Sequence, residues 1–292
     1  WGEKSRQPYA ALYTSLGWPY QCDFCCIQAP FKAGEKTQGI KPTTNSYRFW
    51  NPSAIGTQLE ILSNVYGVRN VKIADEMFVL NRRHVEAVCD EITSRKLDLN
   101  IWAYARVDTV KDGMLDKLKR AGFNWLAFGV ESAVESVRDG VDKSFTQDEI
   151  FKTIAKVRAA GIHVGANYIF GLPNDTLETM QATLDLAMEL NTEYANFYCA
   201  MAYPGSPLYA SVFKAGWPAL PKTWSGYSQH SVDCLPLATK TCTASEVLAF
   251  RDAAFQTYFT GPRYLDMIRR TFGDGAVEQV AAMAAVKLKR NT

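Results

Sequence analysis

The chain has 292 residues, of which 47% are hydrophobic, 21% charged and 12% aromatic. That balance excludes an intrinsically disordered chain, a collagen-like fibre and a coiled coil. Lys plus Arg is 32 against 30 Asp plus Glu, and a net charge of +2 gives no reason to expect nucleic acid as a partner. No apolar run reaches the roughly 18 residues that a membrane-spanning helix needs. The first residues, Trp1 to Arg6, carry no apolar signal-peptide core, and the opening Trp in place of Met suits a fragment or a processed chain.

Short apolar, β-branched and aromatic runs alternate with helical periodicity from residue 10 to residue 210. The first strand is expected at Ala10 to Leu16, followed by the loop Gly17 to Cys26. A helix over Ser53 to Tyr66 follows, with Ser53 as its cap after Pro52. Strand Asn70 to Ala74 leads to a helix over Asn81 to Arg95. Strand Leu99 to Tyr104 leads to Gly113 to Ala121, stopped by Gly122. Strand Trp125 to Gly129 leads to Thr146 to Ala160, where Thr146 and Glu149 form a capping box and Gly161 the stop. Strand His163 to Phe170 leads to Thr176 to Leu190, with Thr179 standing where a box would have an acid. The last strand is Ala195 to Ala202. Beyond Trp217 come Pro218, Pro221 and Pro236, then helices near Ala244 to Phe259 and Ala276 to Leu288.

Alternating strands and helices imply right-handed βαβ units on a parallel sheet. Six such units make an α/β fold, a partial TIM-type (β/α)6 barrel with a C-terminal helical extension. The expected division is a barrel over residues 1–210 and an accessory region over 211–292 that covers one end of it.

Seven cysteines stand at 22, 25, 26, 89, 199, 234 and 242. An odd number in so long a chain points to free thiols in a reducing cytoplasm. Cys89, Cys199, Cys234 and Cys242 read as small buried hydrophobes. The other three crowd into five residues, a density that points to ligand or redox chemistry. A zinc site would need a second Cys or His pair, and none has the spacing. His84, His163 and His230 are isolated and read as structural.

In a parallel barrel, chemistry gathers at the C-terminal ends of the strands. The first strand end offers Gly17 to Cys26 and the second Asp75-Glu76. The third offers Arg106 and Asp108, and the fourth Glu131-Ser132. The fifth ends in Gly171-Leu172-Pro173 and the sixth in Pro204-Gly205-Ser206-Pro207. Reactive, charged and turn-forming residues thus recur at one rim.

Several phrases, in this order, resemble the radical S-adenosylmethionine enzymes over roughly residues 8–210. They are Thr14-Ser15-Leu16-Gly17, Pro19-Tyr20-Gln21-Cys22-Asp23-Phe24-Cys25, Ala74-Asp75-Glu76-Met77-Phe78, Ala105-Arg106-Val107-Asp108, Phe128-Gly129-Val130-Glu131-Ser132, Tyr168 to Pro173 and Tyr203 to Tyr209. The resemblance implies a [4Fe–4S] cluster on three thiolates spaced Cys-x3-Cys-x2-Cys. It also implies S-adenosylmethionine on the open iron, a 5′-deoxyadenosyl radical and a small-molecule substrate. A flavodoxin- or ferredoxin-like reductant would serve such an enzyme. The subgroup most similar to it often has an upstream cobalamin-binding domain, which would favour methyl transfer or rearrangement with cobalamin.

Carried over by this resemblance, Cys22 and Cys25 are cluster thiolates, with Cys26 as a less suitable third. Asp75 and Glu76 receive the amino group of S-adenosylmethionine, or are a solvated acidic pair capping the next helix. Arg106 meets its carboxylate, or else Asp108. Glu131 and Ser132 face the ribose and carboxylate, and Ser132 also suits a helix cap. Gly171 lets backbone approach adenine, or is a plain turn, and Pro204 admits the same pair of readings. Lys143 is a basic residue near the cofactor or a surface lysine. Trp217, Trp224, Tyr227 and Tyr258 line a substrate cover or belong to the core.

The pattern breaks at one position. Counting back from Cys25 and Cys22, the third cysteine belongs at 18, where the chain has Trp18. An indole offers a donor N–H and no lone pair for iron. Four explanations stay open: an altered or misread residue in an active enzyme, a natural member that no longer cleaves S-adenosylmethionine, Cys26 as third thiolate, or a donor from outside the chain. The function implied is therefore a radical S-adenosylmethionine enzyme. Its alternative is a non-catalytic barrel of the same architecture serving as scaffold or partner domain.

Overall fold

Six β-rich runs become neighbouring strands of one sheet in the computed structural model, which describes residues 8–20, 22–28, 31, 34–41, 47–111, 113–138, 145–216 and 220–291. The strands are β1 Tyr9–Leu12, β2 Ser15–Leu16, β3 Arg48–Phe49, β4 Asn70–Ile73, β5 Asn100–Ala105, β6 Phe123–Glu131, β7 His163–Phe170 and β8 Tyr194–Cys199. The helices are α1 Gly34–Thr37, α2 Pro52–Asn64, α3 Arg82–Ser94, α4 Met114–Arg120, α5 Gln147–Ala159, α6 Leu177–Leu190, α7 Pro207–Lys214, α8 Ala244–Phe259, α9 Pro262–Phe272 and α10 Asp274–Ala285. The main sheet runs β1-β4-β5-β6-β7-β8. Its pairs are parallel, with Tyr9 opposite Asn70, Asn70 opposite Asn100 and Trp102 opposite Trp125. This is the expected α/β class, a partial TIM-type barrel of six strands and crossover helices.

The strand expected from Ala10 to Leu16 divides in two. β1 ends at Leu12, and β2 leaves the main sheet to pair antiparallel with β3. The break falls at Thr14, whose backbone N–H is taken by the Asp75 carboxylate rather than by a ladder partner. The cap of α2 is Asn51, not Ser53. Pro52 occupies the first turn, where its missing N–H costs nothing, and the Asn51 side chain accepts from Ser53 N. The Thr146–Glu149 box closes α5 as expected. At α6 the Thr179 hydroxyl takes the role of the acid, accepting from Thr176 N at 2.8 Å.

Contacts group the described residues into two compact units. Residues 1–19, 45–129 and 145–166 form unit 1, and residues 20–44, 130–144 and 167–292 form unit 2. In unit 1 the core is aliphatic, built from Ile55, Leu59, Ile73, Val85, Val88, Ile101 and Leu118. The parallel rings of Phe78 and Phe123 join it at 5.0 Å. In unit 2 the core is aromatic, with Tyr168, Phe170, Phe197, Tyr258, Phe259 and Tyr264 all buried. Phe197 stacks on both Tyr168 and Phe170. Cys89, Cys199, Cys234 and Cys242 are buried free thiols. Burial pushes the Cys89 thiol up to about 12, which makes it inert. Among the described residues no helix is long and apolar enough to cross a membrane.

Candidate functional site

Asp75, Glu76, Arg106, Glu131, Ser132 and Gly171 fall at or just past the C-terminal end of a strand of the main sheet. In unit 1, Asp75 follows β4 and is fully buried. Its carboxylate accepts from Thr14 N at 2.5 Å, Thr14 Oγ1 at 2.6 Å and Ser15 Oγ at 2.6 Å. His84 Nε2 lies 3.0 Å from Thr14 Oγ1. The Thr14 hydroxyl hydrogen goes to Asp75, so His84 is the donor and carries its proton on Nε2. Burial holds the His84 pKa below its ordinary value, against the pull of Asp75 and Thr14. Tyr47 completes the group, 3.1 Å from Ser15 Oγ and donating to Met77 O.

Glu76 stands apart from this network and keeps access to solvent. Desolvation first, and the charge of Asp75 second, raise its pKa, with Lys72 opposing. The pair thus divides into a saturated carboxylate and an accessible one. Arg106 is buried and grips Asp108 as a fork, Nε to Oδ1 and Nη2 to Oδ2, both at 3.0 Å. Within the chain, Asp108 is the acid that the Arg106 fork holds.

In unit 2, the cysteine loop turns at Asp23-Phe24, with Cys25 N donating to Cys22 O at 3.2 Å. Cys22 is buried and Cys25 half-buried, while Cys26 opens a single 3-10 turn and is exposed. The loop is held from behind. Leu208 N donates to Asp23 O at 2.9 Å, and Phe24 packs against two buried clusters, that of Val137, Ile169, Leu172 and Ala200 and that of Ala202, Leu208, Val212 and Leu237. Burial raises the Asp23 pKa.

Glu131 ends β6 with φ 66°, a left-handed conformation uncommon for a residue with a side chain. The Ser132 hydroxyl lies 3.2 Å from Thr183 Oγ1 and accepts from Val134 N. Ser132 thereby shapes the turn that precedes the 3-10 helix Glu135–Val137. Arg138 follows, buried, its pKa lowered by desolvation against Glu135 and Glu131.

Gly171 has φ 83°, and a Cβ there would lie 2.5 Å from Val247 Cγ1. Within the chain, the close approach at Gly171 is that of Val247 on α8. Sequence reasoning missed Asp175, buried at the same turn. It accepts from Gly171 N at 2.9 Å, Leu172 N at 3.0 Å and Thr179 Oγ1 at 2.7 Å. The signal was an acid four residues beyond a glycine that ends a strand. Burial still raises the Asp175 pKa against these hydrogen bonds. Pro204 and Gly205 form the turn into α7, capped by Ser206, which accepts from Tyr209 N. Tyr258 is core, its hydroxyl donating to Thr192 O, whereas Trp224 is exposed. Lys143 and Trp217 lie outside the described residues.

The donor set for a cluster stops short. Position 18 is a half-buried Trp with its Nε1 shielded from solvent. Among the described residues no three His, Cys, Asp or Glu side chains gather to hold a metal ion. Cys22 and Cys25 keep the spacing, but the chain's described donors do not fit a three-thiolate cluster.

The family model described as the Radical SAM superfamily matches residues 17–187, more than half of the chain. The chain belongs to that superfamily. An uncharacterized methyltransferase of Pyrococcus horikoshii is 25% identical over 258 residues, covering 88% of this chain and 53% of that protein. Among solved structures, the radical S-adenosylmethionine methyltransferase TsrM of Kitasatospora setae, with cobalamin and a [4Fe–4S] cluster bound, superposes with a TM-score of 0.60 at 19% identity. That match covers 70% of this chain and 37% of TsrM. The cobalamin-dependent S-adenosylmethionine radical enzyme OxsB, with aqua-cobalamin and S-adenosylmethionine bound, superposes with a TM-score of 0.63 at 13% identity over 93% of this chain and 44% of OxsB. At these identities the structural likeness is one of fold. The chain spans about half, or less, of the length of each of these proteins. Radical SAM proteins share a [4Fe–4S] cluster and S-adenosylmethionine as cofactors, and Trp18 marks where this member departs from the common donor set.

Proposed function

We propose that this chain is the S-adenosylmethionine-binding barrel of a methyl-transfer enzyme of the radical SAM superfamily, acting on a small molecule with cobalamin as co-cofactor. The observation that carries the reading is the family match over residues 17–187, which takes in Cys22, Cys25, Glu76, Arg106, Glu131, Ser132 and Gly171. The likeness to a methyltransferase over 88% of the chain supports methyl transfer. In this reading Glu76, the accessible acid, meets the cofactor's amino group. Arg106 and the Glu131-Ser132 corner serve its carboxylate and ribose, and the Gly171 and Pro204 turns shape the adenine side. Asp75 holds Thr14 and Ser15 beside Glu76. A flavodoxin- or ferredoxin-like reductant in the cytoplasm would be the electron source.

Trp18 favours a second reading, a barrel that binds S-adenosylmethionine without cleaving it. Anaerobic reconstitution of the wild type, Trp18→Cys and Trp18→Ser separates the two. Iron and sulfide content, equilibrium binding of S-adenosylmethionine and 5′-deoxyadenosine release are measured together. The first reading expects binding by all three proteins and 5′-deoxyadenosine release by the wild type, whereas the second expects binding by all three with Trp18→Cys alone approaching the about four irons of a complete cluster and alone releasing 5′-deoxyadenosine. Release by the wild type would remove the second reading. Failure of every variant to bind S-adenosylmethionine would sink both.

A further inference from the structure

Unit 2 contains a cavity of about 570 Å³ that the strand-end residues do not touch. It lies beside Tyr194, the first residue of β8, so it opens at the other end of that strand from Pro204. Its apolar walls are Tyr194, Phe255, Met283 and Leu288. That volume lies in the range of small-molecule sites.

One side of the cavity is held by the chain that follows α10. Val286, Lys287 and Leu288 line it. This strap is pinned just beyond by Arg290, which forks onto Asp252 at 2.9 Å through both Nε and Nη2 and donates from Nη1 to Gln229 O and Ser231 O. Asn291 N adds a bond to Val232 O at 2.9 Å. The wall is therefore a fixed part of the structure.

Arg251 supplies the charge. It lines the cavity yet is only 5% exposed. Its Nε donates to Phe197 O at 2.7 Å and its Nη1 to Asp252 Oδ1 at 2.8 Å. Among the described residues its Nη2 has no hydrogen-bond partner. A buried guanidinium with a spare N–H pair calls for an acceptor, and a carboxylate fits it best. Lys287 adds a second cation at the exposed rim. Asp252 is the opposing charge and is already shared between Arg251 and Arg290. His230, also on the lining, has its pKa lowered by burial first and then by Arg251 and Arg290, with Asp252 opposing.

We propose that this cavity is a binding site for a small molecule with an apolar body and a single carboxylate, seated against Arg251 Nη2 with its body between Tyr194, Phe255, Met283 and Leu288. A bare inorganic anion would leave the apolar walls wet, and an apolar cation would meet Arg251 unscreened.

Titration calorimetry on the full chain tests it with two acids, decanoate and naphthoate, each set against the alcohol of the same body, decanol or naphthalenemethanol. The expected result is saturable binding of at least one acid, tighter than its alcohol by about tenfold or more. Which acid binds distinguishes an acyl body from an aromatic one. Met283→Trp, which fills the cavity from α10, should abolish binding, and Lys287→Glu should weaken it about tenfold. Melting curves on both variants confirm that they fold. Failure of both acids to saturate, equal binding of acid and alcohol, or unchanged affinity in Met283→Trp overturns the proposal.

Discussion

Two buried aspartates, one in each unit, do the same work at two strand ends. Asp75 stops β1 and turns the chain toward the cysteine loop by accepting from one backbone N–H and two hydroxyls, with His84 behind Thr14. Asp175 stops β7 by accepting from two backbone N–H groups and the Thr179 hydroxyl. Both lie within the stretch that the superfamily model matches. Their likeness teaches that an acid inside a functional phrase can be scaffold, with its neighbour Glu76 left to face the solvent. Their difference lies in what surrounds the charge. Burial outweighs hydrogen bonding at Asp175 and raises its pKa, so its ionised form is held less firmly.

The sharpest test of this pairing is removal of each carboxylate. Asp75→Ala strands a buried N–H, two hydroxyls and the histidine behind them, and should cost about 4 kcal/mol. Asp175→Ala should cost about 2 kcal/mol, because the ionised acid it removes is already penalised by burial. Chemical denaturation read by site-resolved amide exchange gives both values. An Asp175→Ala cost equal to that of Asp75→Ala would erase the distinction.

Gly171 probes the unit 2 turn from the other side. Gly171→Ala puts a Cβ against Val247 and a side chain at φ 83°, and should cost about 3 kcal/mol. Adding Val247→Ala removes the collision but not the backbone strain, so the double variant should recover about half of that loss. Full recovery would assign the glycine wholly to packing against α8, and no recovery wholly to its backbone.

Much of this architecture can be read in one dimension, because its determinants are local. The six strands of the sheet, the box at α5 and the bounds of α8 follow from periodicity and capping within a few residues. What escapes such reading is non-local or ambiguous. β2 and β3 have two residues each and no pattern to show, and they find each other across 32 residues. α7 and α9 begin on prolines, Pro207 and Pro262, that read equally well as breakers and as first-turn residues. At the site, the cysteine spacing, the strand-end positions and the foreign Trp18 were all legible. The separate roles of Asp75 and Glu76 were not, since adjacent acids look alike until Thr14, 61 residues away, claims one of them. Arg251 was likewise invisible as a binding group, because its environment is assembled from β8, α8 and the strap.

The smallest expected effect is the dependence on pH, and its sign separates the two units. The folded pKa of His84 lies below its ordinary 6.5, so its contribution is complete above that value and is lost as pH falls toward the folded pKa. The folded pKa of Asp175 lies above its ordinary 3.8, so its contribution is complete below that value and is lost as pH rises through the folded pKa. Mild acidification should therefore loosen the Thr14–His84 region of unit 1 while the Gly171–Asp175 turn of unit 2 holds or tightens. Amide exchange at the two sites, measured from neutral to mildly acidic pH, reads this directly. His84→Gln keeps a donor toward Thr14 but cannot take up a proton, and it should flatten the unit 1 profile while leaving unit 2 as it was. A unit 1 profile that still falls with His84→Gln would move the acid sensitivity to a different group, and the neutral histidine would then be an accident of packing rather than part of how Asp75 is held.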